Sequence, residues 1–156
     1  DEYLNNLYKI RNNCPQIRID KVNLSDSQVK LLHKFGDCYI SLAHSEGVGL
    51  GMLEASTFGN PVITTGWGGQ MEYIKYGYFV NYQIKPIECV YHFFDPSQKW
   101  AYPDLVHASQ LMKQVYNSRK HAIKIGLKNK DFVIENFSRK VIGEKFRNSL
   151  YAICRD

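Results

Sequence analysis

Two short apolar runs, residues 38–42 and 61–65, each break into a glycine-bearing turn and then into a helix-like stretch. That alternation constrains the chain more than any other feature. A strand, a helix and a second strand joined by short links return parallel through a right-handed crossover. A parallel strand covered on both faces reads as a continuous apolar run rather than an alternating one. The expected fold is therefore α/β: a partial doubly wound parallel sheet of about four strands, with helices on both faces and carboxyl-terminal helices packed across it.

Residues 2–12 carry helical spacing, with Tyr3, Leu4, Leu7 and Tyr8 on one side. Residues 17–20 read as a short strand after Pro15. Ser25 suits an N-cap for a helix reaching Phe35, with Gly36 as its stop. A helix over 50–58 closes at Gly59-Asn60, a short helix is expected over 70–76, and a strand over 78–82. Pro86, Pro96 and Pro103 make 83–102 read as irregular, with at most a short strand near 89–92. Helical spacing returns over 104–116 and 119–135, and Ser138 caps a last helix with Ile142, Phe146, Leu150 and Ile153 on one face. No internal repeat, linker or low-complexity tract divides the chain, so 1–156 reads as one domain. Because the helical pattern opens directly at Asp1, the expectation is a fragment of a longer protein.

The chemistry concentrates between Ser45 and Glu72. A buried parallel strand ending near Leu42 delivers the chain to the carboxyl edge of a sheet, where such folds bind ligands. Gly47, Gly49 and Gly51 allow close backbone approach, and the next helix aims its free N–H groups at the same place, a ready site for an anion such as a diphosphate. Glu46 lies on the loop and Glu54 in the helix, and a carboxylate can accept two neighbouring sugar hydroxyls at once. Gly66, Gly68 and Gly69 form a second turn at the end of the adjacent strand, before a short helix holding Glu72. The same residues also describe two ordinary strand–helix turns with solvated glutamates.

In order, Glu46-Gly47-Val48-Gly49-Leu50, Leu53-Glu54-Ala55, Gly59-Asn60-Pro61-Val62-Ile63, Gly68-Gly69 and Glu72 resemble the E-x7-E family 4 glycosyltransferases. Trp100, Pro103-Asp104, Leu111-Met112 and Phe137-Ser138 resemble the tail of their carboxyl-terminal domain. The resemblance implies the carboxyl-terminal, Rossmann-like half of a GT-B fold, binding a nucleoside-diphosphate sugar for retaining hexosyl transfer. Glu46 would meet the sugar and carry the catalytic role. The backbone of Val48, Gly49 and Leu50 would meet sugar and diphosphate, Glu54 the ribose, and Gly68 and Gly69 the same donor site. The base would lie near Val22 and Asn23. No cofactor or metal is implied. Val48 stands where such enzymes usually carry an aromatic. Their upstream Arg–Lys pair and amino-terminal acceptor domain would precede Asp1, so the isolated chain is expected to be inactive. The acceptor would be a glycan, a lipid or a protein.

Composition narrows the alternatives. A net charge of +5 suits an anionic partner. Nucleic acid is disfavoured because carboxylates line the turns and no basic–aromatic motif is visible. A sugar-nucleotide-binding module without catalysis, or a sugar-nucleotide epimerase of the same architecture, stays open. No apolar stretch approaches a membrane span. A cytoplasmic location is expected. Arg119, Lys120, Lys124, Lys128 and Lys130 read as a solvated face, with peripheral membrane contact as the minority reading. Cys14, Cys38, Cys89 and Cys154 lack metal-ligand spacing and read as free thiols, Cys38 as a buried one. His33 reads as a surface or internally satisfied histidine, and His92, His107 and His121 lack zinc spacing. His44 could pack or touch donor or acceptor. Trp67 could shield a sugar or pack over the helix.

Overall fold

A capping box starts the first helix, α1 (Asp26–Phe35). The Ser25 hydroxyl accepts from the Gln28 N–H at 3.4 Å, and the Gln28 side chain accepts from the Ser25 N–H at 2.8 Å. The helix stops where expected, at Gly36, whose N–H returns to the Leu32 carbonyl at 2.8 Å. The structure is a computed structural model and describes residues 15–19, 21–87, 95 and 97–154. The helix expected over 2–12, the strand expected near 89–92, and Cys14 and Cys89 lie outside the described residues.

Three strands form a parallel sheet in the order β1 (Tyr39–Ser41), β2 (Val62–Thr65), β3 (Tyr78–Val80). Ile40 registers with Ile63, and Thr64 with Phe79. Helix α2 (Leu50–Phe58) makes the crossover between β1 and β2. Gly59 ends α2 in the left-handed region (φ 84°), where its N–H and that of Asn60 satisfy the Ser56 and Ala55 carbonyls.

Every residue of β2 is buried, and its side chains alternate between two apolar clusters. Val62 joins Met52, Ala55, Tyr73, Ile74 and Val133. Ile63 joins Tyr78, Val80, Ala108, Val115 and Ala122. The first cluster draws on α2, and the second on α3 (Leu105–Asn117), which Asp104 caps by accepting from the Val106 and His107 N–H groups. Helix α4 (Arg119–Phe137) supplies a residue to each cluster. It passes beneath the amino-terminal edge of the sheet. A Cβ on Gly126 would lie 2.3 Å from the Gly59 carbonyl oxygen and 2.6 Å from the Pro61 nitrogen, so backbone meets backbone there. One turn on, buried Asn129 accepts from the Lys75 and Tyr76 N–H groups at 2.9 and 3.1 Å and donates to Ser56 Oγ at 3.1 Å. That edge is thus closed by protein, and the carboxyl ends of β1 and β2 carry the glycine loops.

Three expectations need correction. Residues 15–19 form no strand, so the described parallel sheet has three strands instead of about four. The short helix over 70–76 is a four-residue 3-10 turn, Gly69–Glu72. The stretch expected to be irregular holds an antiparallel pair, β4 (Tyr82–Pro86) and β5 (Lys99–Pro103). Pro86 and Pro103 sit at the strand ends, opposite Lys99 and Tyr82, where a missing N–H disrupts little. The last helix, α5 (Arg139–Ile153), starts at Ser138 as expected, but none of its residues is buried, and Ile142, Phe146, Leu150 and Ile153 are exposed. No helix among the described residues is long and apolar enough to cross a membrane.

Candidate functional site

The chain leaves β1 at Ser41 and reaches α2 through a loop that carries Glu46, Gly47, Val48 and Gly49. Gly49 occupies the left-handed region at φ 69°, which turns the chain straight into the helix. No side chain caps α2. Its first-turn N–H groups therefore carry the positive end of the helix dipole without a carboxylate or hydroxyl from its own cap.

The second loop follows β2 and lies directly on the first. The Gly69 N–H donates to the Glu46 carbonyl at 2.9 Å. A Cβ on Gly69 would fall 1.7 Å from the Gly47 carbonyl oxygen, and one on Gly68 3.1 Å from that of Glu46. Gly68 is itself at φ 105°. Glycine is required at both positions, because any side chain would push the loops apart. The two glycine turns, separate features of the sequence, are thus one backbone surface.

Two tyrosines and a glutamine, none of them singled out by the sequence, hold this surface. Tyr73 is buried, and its hydroxyl donates to the Val48–Gly49 carbonyl pair, 2.5 and 2.9 Å away. Fixing those carbonyls fixes the adjoining amide planes. Burial raises the Tyr73 phenol well above its ordinary pKa, with Glu46 and then Tyr39 adding to the shift. The Tyr39 hydroxyl underlies the start of α2, 2.4 Å from where a Cβ on Gly51 would lie. Its pKa is also raised, first by burial and then by the charges of Glu46 and Glu54. Tyr39 therefore stands within electrostatic reach of both carboxylates. Fully buried Gln70 ties the second loop to β2, donating from Nε2 to the Trp67 and Thr65 carbonyls at 2.5 and 3.2 Å. No pattern in the sequence distinguishes these residues from ordinary core aromatics and a surface amide.

Glu46 is half-buried on the first loop, and Val48 and Leu50 beside it are exposed. Glu54 stands on α2 with its side chain 55% exposed and its Oε2 3.5 Å from His33 Nε2. It lines a cavity of about 370 Å3 together with Tyr39, Gly51 and Asn60. Residues 16–86 match the family model described as glycosyl transferases group 1. That glycosyl transferase match covers a little under half of the chain. It spans α1 to β4 and so includes both glycine loops, Glu46 and Glu54. It supports a role in glycosyl transfer, with a sugar donor and an acceptor in general terms. No curated protein and no solved structure matches the chain.

Outside the matched glycosyl transferase segment, β5 packs against the approach to Glu46. The Ala101 N–H donates to the His44 carbonyl at 3.2 Å, and the His44 ring lies 4.5 Å from Tyr102 and 5.7 Å from Trp100. The Trp67 ring lies 5.7 Å from the Tyr82 ring of β4. The basic run on α4 is not a uniform face: Arg119 pairs with Asp37, and Lys128 lies 4.1 Å over the Tyr76 ring. A separate apolar cavity of about 310 Å3, lined by Cys38, Ile40, Ile63, Met112 and Val115 among others, contains no residue of either glycine loop.

Proposed function

We propose that this domain binds the donor of a retaining glycosyltransferase, a nucleoside-diphosphate sugar, as the carboxyl-terminal part of a partial doubly wound GT-B fold. The observation that carries the reading is the backbone contact between Gly69 and Gly47, which joins two glycine loops at the uncapped start of α2, between Glu46 and Glu54. The diphosphate lies at the amino end of α2, against the amides of Val48, Gly49 and Leu50. Glu46 receives hydroxyls of the transferred hexose, and Glu54 those of the ribose. Gly68 and Gly69 form the wall against which the sugar rests. In the transfer, the bond from the anomeric carbon to the diphosphate oxygen breaks and its electron pair leaves with the diphosphate, while an acceptor hydroxyl forms the new bond on the same face of the sugar and passes its proton to the departing diphosphate. Oriented amides and placement of the sugar supply the acceleration. No covalent nucleophile, metal or cofactor is assigned. A cytoplasmic enzyme acting on a glycan, lipid or protein acceptor fits this reading.

The test is a thermal-shift screen of nucleoside-diphosphate sugars, followed by calorimetry. A ligand at a hundred times its dissociation constant stabilises by about 2.7 kcal/mol, a readily measured shift. Glu54→Ala is expected to weaken binding by roughly 1.5–3 kcal/mol, the scale of hydrogen bonds to a charged group. Equal affinity of the variant and the parent would remove Glu54 from the site. Absence of binding across the screen would overturn the reading as a whole.

A further inference from the structure

Glu54 has an imidazole neighbour. His33 projects from the last turn of α1 and is only 7% exposed. Its ring stacks on Phe58 and lies tilted against Tyr39, both at 5.8 Å between centroids. Asn60 Nδ2 donates to its backbone carbonyl at 2.7 Å, so the helix end that carries it is tied down. The Nε2 atom is buried and has no hydrogen-bond partner, and Glu54 Oε2 is 3.5 Å away. A buried ring nitrogen left unpaired costs free energy, and a small rotation of the half-exposed Glu54 side chain would pair it. His33 and Glu54 together line the cavity of about 370 Å3 and a second of about 400 Å3 beside it.

We infer that His33 is a positioning residue for Glu54: its Nε2–H donates to one carboxylate oxygen and leaves the other aimed at the vicinal hydroxyls of a ribose in the cavity bounded by Tyr39 and Gly51. The inference rests on Glu54 being the ribose ligand. The physical gain is preorganisation. A glutamate on an exposed helix face samples several rotamers, and ordering it on binding lowers affinity. An imidazole packed between Phe58 and Tyr39, on a helix end tied down by Asn60, sets the carboxylate before the ligand arrives. The clamp also makes the site discriminate at the sugar, because a nucleotide without ribose hydroxyls leaves the aimed oxygen unused.

The experiment is calorimetry with uridine, adenosine and guanosine diphosphates and their 2′,3′-dideoxy analogues. It compares the parent with His33→Phe, His33→Gln and Glu54→Gln. Phenylalanine keeps the ring stack and removes the donor; glutamine restores an N–H near the Nε2 position. The parent is expected to favour the ribose forms by on the order of tenfold, the scale of one hydrogen bond to a charged group. That preference should fall severalfold in His33→Phe and Glu54→Gln and return in His33→Gln. If Glu54→Gln loses the preference while His33→Phe keeps it, His33 has no positioning role. If Glu54→Gln keeps it, the ribose assignment itself fails. Binding of none of the nucleotides overturns both. Should His33→Phe not fold, nitrogen-15 histidine NMR of the parent decides. The His33 Nε2 resonance should move with the ribonucleotide and stay with the dideoxy form; equal response to both would overturn the inference.

Discussion

A single hydroxyl, that of Tyr73, orders the loop on which the proposed donor site depends. Tyr73→Phe keeps the ring among Met52, Ile74 and Val133 and edge-on to Phe137, and removes only the donor to Val48 and Gly49. We expect a loss of about 1–2 kcal/mol in stability, the usual scale for a hydrogen bond removed with its acceptor left partly buried. Nucleotide-sugar affinity should fall alongside, because the amides of the loop lose their fixed direction. Chemical denaturation and calorimetry on one preparation would measure both, and unchanged affinity at reduced stability would confine Tyr73 to packing. Cys38 gives a residue-scale test of burial. Its thiol is pushed from 9.0 up to about 11, first by burial and then by the nearby Asp37 charge, with a hydrogen bond to the Ile63 backbone opposing. Because the folded value lies above the unfolded one, the contribution to stability is complete below pH 9 and fades as the pH rises toward 11. Alkylation followed by peptide mapping should therefore modify exposed Cys154 well before Cys38 at pH 8–9. Cys38 is half-buried rather than fully buried as expected, and equal rates would contradict even that partial shielding.

At the scale of elements, the contact between the glycine loops is the feature most sensitive to a single atom. Gly69→Ala places a methyl group inside the van der Waals radius of the Gly47 carbonyl oxygen, and rigid backbone cannot yield as a side chain would. Overpacking of this kind typically costs about 1–3 kcal/mol, and the loops must separate to accept it. Donor affinity should drop further than the stability loss alone explains, which binding measured well below the melting temperature would reveal. Parental affinity in a folded Gly69→Ala protein would dissociate the two loops from a common site. Most α-helix boundaries were legible in the sequence because their signals are local: Ser25 starts α1, Gly36 and Gly59 stop the first two helices, and Ser138 starts α5. The strands 39–41, 62–65 and 78–80 were legible as apolar runs. The hairpin of β4 and β5 was not, because its stability comes from pairing across a sequence gap and its prolines resemble loop residues. Likewise, both glycine turns could be read, but nothing local in Gly47 or Gly69 says that they touch. The roles of Tyr39, Tyr73, Gln70 and His33 depend on tertiary neighbours, and a polar or aromatic residue in isolation carries no sign of them.

For the molecule as a whole, α4 decides whether the two apolar clusters behave as one. It gives Ala122 to the cluster of Ile63 and α3, and Val133 to that of Val62 and α2, while Gly126 and Asn129 lie against the turns that begin β2 and β3. If the clusters share this strap, neither can open without the other, and equilibrium unfolding should be a single transition. Trp67 in the second glycine loop and Trp100 in β5 report through fluorescence, and the helices report through far-ultraviolet circular dichroism. The two signals should follow the same curve in urea. Asn129→Ala gives the sharper version of the test. It leaves the Lys75 and Tyr76 N–H groups and the Ser56 hydroxyl without their buried partner, so destabilisation of roughly 2–4 kcal/mol is expected from more than one lost hydrogen bond. Both curves should move to lower urea together. A variant in which circular dichroism moves and tryptophan fluorescence does not would show that the sheet and its loops survive loss of the strap. The glycine loops, at the opposite edge of the sheet, would then owe their geometry to local contacts such as Tyr73 and Gln70 alone. Coincident curves tie that geometry to packing on the far side of the sheet, and changes made at Asn129 should then weaken donor binding only through the fraction of molecules unfolded.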